Sequence, residues 1–363
     1  MGIEQYFTRN TARLPSLDGL RALSIGLVLF AHSHPPVELQ KLAFYCGTLG
    51  VRIFFVISGF IITWLLLQEV KSCGGISLKN FYIRRIARIF PAYYTYLVVV
   101  FFLDRAGLVD GGSSIQKILN ILFLANYGPC EGPTGVLWSL GVEEQFYLIW
   151  PGIFILLSFF RQKTSALIIL IGVLTCSPIL RGLNIYWGRG GQEAYFWLHR
   201  FSFLFQMDNI AWGCVGAIVA FYWSKVVQFL TVHVFKVLLF AIFIISLPYS
   251  AREFDGFGVE TVFGPTLEAF GTILIIIMSV AKSDLFLFRI LNLRPVIWIG
   301  TISYSLYLWH SIFTGDLLPQ CGISQNLWIL ASIGVAMISY YLIELPFVRY
   351  RKKLNWQNPK TKS

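Results

Sequence analysis

The chain has 363 residues, of which 56% are hydrophobic and only 13% charged, and its mean hydropathy is +0.67. A soluble domain carries nearer to about 25% charged residues, so the composition excludes an ordinary soluble fold and points to a polytopic membrane protein. The formal net charge of +11 is spread over many short segments rather than gathered into a nucleic-acid-binding module, so it reads as anchoring toward anionic lipid and no nucleic-acid partner is expected.

Apolar runs long enough for a hydrocarbon core of about 30 Å recur ten times, over about residues 17–35, 44–67, 91–109, 137–160, 165–181, 201–223, 237–250, 264–281, 296–315 and 326–346. None alternates in the manner of a barrel strand. The predicted fold is therefore an all-α bundle of about ten transmembrane helices, a single integral-membrane domain over 1–363 with its core over about 17–346 and a short basic tail over 347–363. Ten spans put both termini on one side, and that side holds most of the Lys and Arg, including Lys71, Lys79, Arg84, Arg85, Arg88 and the tail RYRKK. Both termini are expected in the cytoplasm. The basic start followed by an apolar run has the outline of a signal peptide, but Asp18 and Arg21 interrupt it and no small-residue cleavage site follows, so it reads as a retained helix. The cysteines show no CxxC or metal spacing, so no metal is expected, and Cys176 and Cys214 fall inside apolar runs as ordinary small residues. Cys46, Cys130 and Cys321 lie toward the outer side, where one disulfide is open.

Ionisable residues within membrane runs are costly and mark candidate sites. In the first run, SLDGLRALSIGLVLFAHSH, His32 follows Arg21 by eleven residues, which returns to nearly the same helix face about 16 Å further along the axis. An imidazole with a reference pKa of about 6.5 suits a general base; the alternative is a core histidine satisfied by a hydrogen bond. In the second run, Ser58 of GVRIFFVISGFIIT is a candidate nucleophile, while the same Ser-Gly pair also suits close helix packing. At the mouth of the third run, NFYIRRIARIFPAYY sets Arg85 and Arg88 on one helix face with Arg84 beside them. That is either an anion site for a ligand with several phosphates or a cluster resting on lipid phosphates.

The fourth run, LWSLGVEEQFYLIWP, joins Glu143 and Glu144 to Trp138, Phe146, Tyr147 and Trp150. Carboxylates and aromatic faces together suit a sugar, although Trp and Tyr also form interfacial belts. Neighbouring residues point about 100° apart on a helix, so at most one of the two glutamates faces a given pocket squarely. Arg52, Asp208 and His310 also sit inside apolar runs, and Asp208 and His310 either line the same cavity or pair within the bundle. Glu344, just before Pro346, reads as interfacial, and the segment RGLNIYWGRGGQEAYFWLHR, with His199, reads as an outer loop for acceptor contacts.

Taken together, these motifs resemble the membrane acyltransferase-3 family of polysaccharide and lipid O-acyltransferases, which includes O-antigen, exopolysaccharide and nodulation-factor O-acetyltransferases. The likeness runs from Leu17 to about Pro346, carried in order by DGLRALSIGLVLFAH, FFVISGFIIT, FYIRRIARIFPAYY, WSLGVEEQFYLIWP, MDNIAWGCVGA and ISYSLYLWH. The family's Arg-x10-His pattern falls on Arg21 and His32, its Arg-x-x-Arg pattern on Arg85 and Arg88, and its acidic position on Glu143. The resemblance implies an O-acyltransferase of the bacterial inner membrane that moves an acyl group, usually acetyl, from cytosolic acetyl-CoA to a hydroxyl of a carbohydrate or glycolipid acceptor. Acyl-CoA would be a co-substrate, with no permanently bound cofactor, and self-association into a homo-oligomer is left open.

In that reading His32 deprotonates the acceptor hydroxyl or relays the acyl group, and Arg21 contacts CoA or orients His32. Arg85 and Arg88 hold the CoA phosphates. Glu143 and Asp208 hold the sugar or tune the imidazole, with Trp138, His310 and Ser58 as further substrate contacts. Two departures stand out. Met207 occupies the position before Asp208 where relatives often carry Arg, and the chain runs only seventeen residues past Pro346, where many relatives append a Ser-Gly-Asn-His hydrolase-type domain. A second acyl-transfer step is therefore expected to need another protein. The competing reading is a transporter or flippase for a glycan or small anion, which would favour inverted repeats that the sequence does not display.

Overall fold

The computed structural model describes residues 14–159, 163–188, 201–255, 258–315 and 317–353. No strand occurs among the described residues. The helices are α1 (Leu17–Ala31), α2 (Val37–Cys73), α3 (Leu78–Arg105), α4 (Ser114–Ile121), α5 (Leu137–Phe159), α6 (Lys163–Gly188), α7 (Phe203–Tyr222), α8 (Ser224–Val232), α9 (Val234–Asp255) and α10 (Gly258–Ala281). They continue as α11 (Phe286–Arg289), α12 (Arg294–Phe313), α13 (Leu317–Gln320), α14 (Trp328–Ser339), a π-helical turn over Tyr340–Glu344, and α15 (Leu345–Lys353).

Among the described residues, six segments are long and apolar enough to cross a membrane: α2, α3, α7, Val234–Ala251, Glu260–Ala281 and Gln325–Tyr350. The pair Phe286–Asn292 and Arg294–Phe313, bent by 55°, makes a seventh if it is one span. The protein is thus an all-helical integral membrane protein. The first apolar run does not form a spanning helix by itself. Its helix has 15 residues, about 22 Å of rise, and ends at Ala31. His32 is the cap of that helix, its N–H bonded back to the Val28 and Leu29 carbonyls, and the chain then turns through His34 in the left-handed region before Pro35 and Pro36. The base expected inside a span therefore stands at a helix end.

The chain divides into two compact units, one of Met1–Gln68 with Ile153–Thr301, the other of Glu69–Gly152 with Ile302–Ser363. In the first unit the buried core is drawn from α1, α2, α7, α9 and α10, with Ile57, Phe60, Ala217, Ile276 and Met278 fully or almost fully enclosed. Here α2 and α7 cross with their backbones in contact. A Cβ at Gly59 would meet the Ile210 carbonyl, and one at Gly213 would lie 2.6 Å from the Phe60 nitrogen. Small residues are what permit such an approach between membrane helices, so the Ser58–Gly59 pair serves packing at its glycine. The start of α1 is pinned by Ser16. Its N–H donates to Asn292 Oδ1 at 2.8 Å and its hydroxyl to the Ser279 carbonyl at 2.8 Å.

In the second unit α3 is fastened by its tyrosines. Tyr93 and Tyr94 donate to the Asn120 and Ile121 carbonyls at 2.7 and 3.1 Å, groups that the C-terminus of α4 leaves without a helical partner. Tyr96 donates to the Pro133 carbonyl at 2.6 Å, and Tyr304 of α12 donates to the Ile89 carbonyl at 3.1 Å. The α2–α3 turn is held by Glu69, which accepts from the Ser77 N–H at 2.9 Å and from Arg84 at 2.8 Å.

Candidate active site

The site residues read from the sequence fall in both units. His32, Arg21, Ser58 and Asp208 belong to the first; Arg85, Arg88, Trp138, Glu143 and His310 belong to the second.

At the end of α1, His32 Nδ1 lies 2.9 Å from the Val28 carbonyl. A carbonyl can only accept, so Nδ1 carries the proton of the neutral ring and Nε2 is its basic nitrogen. The helix end thus fixes both tautomer and ring orientation. Arg21 forms an ion pair with Asp18 one turn earlier, at 3.4 Å. Its eleven-residue lead over His32 amounts to about 16 Å of helix rise, more than an arginine side chain spans, so Arg21 does not orient the imidazole directly.

Asp208 is fully buried in α7, and its partner comes from another helix. Arg181 Nη2 of α6 lies 2.5 Å from Asp208 Oδ2 and donates to Thr266 Oγ1 of α10 at 2.8 Å, while Thr266 in turn donates to Asp208. Asp208, which Met207 precedes, is thus paired with an arginine of another helix, Arg181. A second buried pair, Arg52 Nη1 to Glu268 Oε2 at 2.5 Å, links α2 to α10, and Arg52 is in turn within electrostatic reach of Arg181. The sequence reading missed Arg181 as a partner and passed over Glu268 altogether. Glu268 had the signal, a carboxylate inside the apolar run 264–281; Arg181, at the end of the run 165–181, had it less plainly. Of the proposed acceptor loop, residues 189–200, including His199, lie outside the described residues.

In the second unit the Arg85 guanidinium lies over two rings, 5.7 Å from the centroid of Phe81 and 5.3 Å from that of Tyr147. Arg88 and Glu144 are within its electrostatic reach. Arg84 is paired with Glu69 at 2.8 Å and is also within electrostatic reach of Arg85. The two adjacent glutamates diverge in part, as helix geometry requires: Glu144 neighbours Arg85, Tyr93 and Tyr94, Glu143 neighbours Tyr307, and both are within electrostatic reach of Tyr304. Near the start of α5, beside Trp138, Ser139 Oγ and Tyr307 OH share a 2.7 Å hydrogen bond. His310, wholly buried, has Nδ1 2.7 Å from the Tyr307 carbonyl, which makes its Nε2 basic too.

Glu344 is not interfacial. It is buried at the π-helical turn, accepts a hydrogen bond from Ser305 and has Arg88 within electrostatic reach. The extra residue of a π turn rotates the chain relative to an α-helix, which brings this carboxylate into the unit.

None of the six cysteines is in a disulfide, and burial pushes the Cys130 thiol up to about 11, so it is a poor nucleophile at neutral pH. Among the described residues, no group of three or more His, Cys, Asp or Glu is placed to hold a metal ion.

The Listeria monocytogenes protein named "Peptidoglycan O-acetyltransferase OatA" is 29% identical to this chain, over 95% of the chain and 58% of the relative. The Bacillus subtilis protein named "Putative peptidoglycan O-acetyltransferase YrhL" is 29% identical over 93% of the chain and 55% of the relative. A Staphylococcus aureus protein named "Putative O-acetyltransferase SAR0937" is 31% identical over 95% and 59%. The chain therefore spans somewhat more than half the length of these relatives. No solved structure matches it. Residues 14–345 fit the family model described as an acyltransferase domain, and with nearly the whole chain inside that match the protein belongs to the acyltransferase-3 family.

Proposed function

We propose that the protein is a membrane O-acetyltransferase that moves an acetyl group from acyl-CoA to a hydroxyl of a cell-envelope carbohydrate, peptidoglycan being the first acceptor to try. The observation that carries the reading is His32. Its Nδ1–H is tied to the Val28 carbonyl, which presents Nε2 as a base at the end of α1, in a chain whose family transfers acyl groups.

In the direct reaction Nε2 takes the proton of the acceptor hydroxyl as the oxygen attacks the thioester carbonyl. The C–S bond then breaks, and the imidazolium returns the proton to the leaving CoA thiolate, so that an oxygen ester and free CoA result. Arg85 and Arg88 serve the donor phosphates, charge-assisted contacts for which a guanidinium suits better than an ammonium. Arg21, too far along α1 to touch the imidazole directly, serves the donor as well. Glu143 and Trp138 serve the sugar, beside the Ser139–Tyr307 hydrogen bond. The topology that goes with this reading is a helical bundle in the bacterial cytoplasmic membrane with both termini inside. Transport is the weaker alternative, since the family transfers acyl groups.

The test is mass spectrometry of envelope polysaccharides, before and after mild alkali, from cells making the native protein or His32→Ala at equal membrane levels. An alkali-labile acetyl that appears only with the native protein is expected, and loss of a positioned general base corresponds to about 10²–10⁴ in rate. Equal ester content with both proteins would remove His32 from the chemistry, and no ester with either, acceptor present, would overturn the transferase.

A further inference from the structure

His32 is tied to its own helix through the Val28 carbonyl, so the ring goes where the last turns of α1 go. Those turns rest on α2. The Ser24 hydroxyl donates to the Gly50 carbonyl, and a Cβ at Gly50 would lie 2.7 Å from the Ser24 carbonyl oxygen and 3.0 Å from Val28 Cγ2. One turn away on the same face of α2, a Cβ at Gly47 would lie 2.6 Å from Ala31 Cβ. Ala31 is the last residue of α1 and His32 is its cap. The α1–α2 hairpin thus closes tightly at two places, one beneath Val28, whose carbonyl orients the imidazole, and one beneath the residue that precedes it.

The opposite end of α1 is fixed. Ser16 is bonded to Asn292 and Ser279, and Gly19 lies so close to Leu291 that a Cβ there would meet its carbonyl oxygen. The supporting helix α2 is long, with 37 residues, and its backbone is in contact with that of α7 at Gly59. By contrast α1 has 15 residues and runs at its His32 end into the turn through His34. A bulkier group at position 47 therefore moves the end of α1 rather than α2, pivoting it about its start. Carbon atoms pack at about 3.5–4.0 Å, so a methyl there needs about 1 Å more room than the two helices leave. That displacement is passed to the adjacent imidazole, and a misplacement of about 1 Å in a catalytic group is worth about 10² in rate.

We propose that Gly47 is a positioning residue for acyl transfer: it lets the end of α1 seat against α2 and so fixes where His32 Nε2 is presented. This rests on the reading of His32 as the general base. Gly47 acts through Ala31 rather than on either substrate.

The experiment uses the full chain in detergent with acetyl-CoA as donor and a soluble peptidoglycan disaccharide fragment as acceptor, and counts active protein by the stoichiometry of acetyl-CoA binding. Gly47→Ala is compared with the native protein, with His32→Ala, and with the double variant Gly47→Ala and Ala31→Gly, which moves the methyl from one helix to the other. A displaced base weakens the transition state alone. In Gly47→Ala, kcat per donor site is therefore expected to fall about 10–10²-fold with both KM values held, and to return to within about threefold of native in the double variant. A native kcat per donor site in Gly47→Ala, even with fewer donor sites, makes the contact structural only and overturns the positioning role while the transferase reading stands. A fall that the double variant leaves in place overturns it as well, because the methyl against Ala31 is then not the cause. If His32→Ala is as active as the native protein, the base and the role of Gly47 are overturned together. A native protein that acetylates nothing in this assay overturns the transferase reading and, with it, the positioning role.

Discussion

The two units bury charge in different ways. In the first, each buried arginine meets a carboxylate from another helix, Arg52 with Glu268 and Arg181 with Asp208, both at 2.5 Å. In the second, Arg85 lies on the faces of Phe81 and Tyr147, its Nε has no hydrogen-bond partner among the described residues, and both a second arginine, Arg88, and the Glu144 carboxylate are within its electrostatic reach. A charge in a 2.5 Å ion pair exerts little field beyond its partner, whereas an arginine resting on rings, with its carboxylate only in electrostatic reach, keeps more of its field for an incoming anion. The buried ion pairs of the first unit therefore leave little charge for an anion, whereas Arg85 of the second is the arginine from which the proposed donor role is to be tested.

The comparison breaks most readily at the paired charges. Asp208→Ala leaves Arg181 buried without its counter-charge, and a loss of about 3–5 kcal/mol is expected, read as a lower melting temperature in detergent. The double variant Arg181→Leu with Asp208→Leu should recover most of it, and a double variant as unstable as the single one would show that the pair is not what holds α6 to α7. A smaller effect is expected where helices touch. Gly59→Ala drives a methyl into the Ile210 carbonyl, so about 1–3 kcal/mol of stability should be lost through overpacking, and unchanged melting would mean the α2–α7 crossing relaxes freely. The smallest change sharpens the second half of the contrast. Tyr147→Leu removes one ring beneath Arg85 and should weaken acyl-CoA binding by about 0.5–2 kcal/mol, with glycan affinity untouched. Raising salt should weaken donor binding and spare the glycan, because screening acts on the arginine field alone. Equal salt sensitivity for both substrates would remove the proposed donor role of Arg85 and Arg88.

Much of this was visible in the chain of letters, for reasons that differ by region. Arg85, Arg88 and Glu144 lie on short stretches of continuous helix, and spacing alone places the arginines on one face. The divergence of Glu143 from Glu144 likewise follows from 100° per residue, although which glutamate neighbours the arginine does not. Arg181 and Asp208 are 27 residues apart, and Arg52 and Glu268 are 216 apart, so no periodicity joins them. Glu344 misled because its position near a basic tail looks interfacial, and a π turn, which carries no composition signal here, turns it inward. His32 was read as a candidate base deep within a span, and the structure gives it another place: the helix stops at Ala31, a turn short of Pro35 and Pro36, and the residue caps the helix.

Hydrophobic content and motif order by themselves determined that this is a helical membrane protein of the acyltransferase-3 family, because burial in lipid and helix periodicity are local properties written every few positions. Which charges neutralise each other and which glycines let helices touch were decided only by the tertiary structure. Those are relations between residues far apart in the chain, and only the packing of one helix against another creates them.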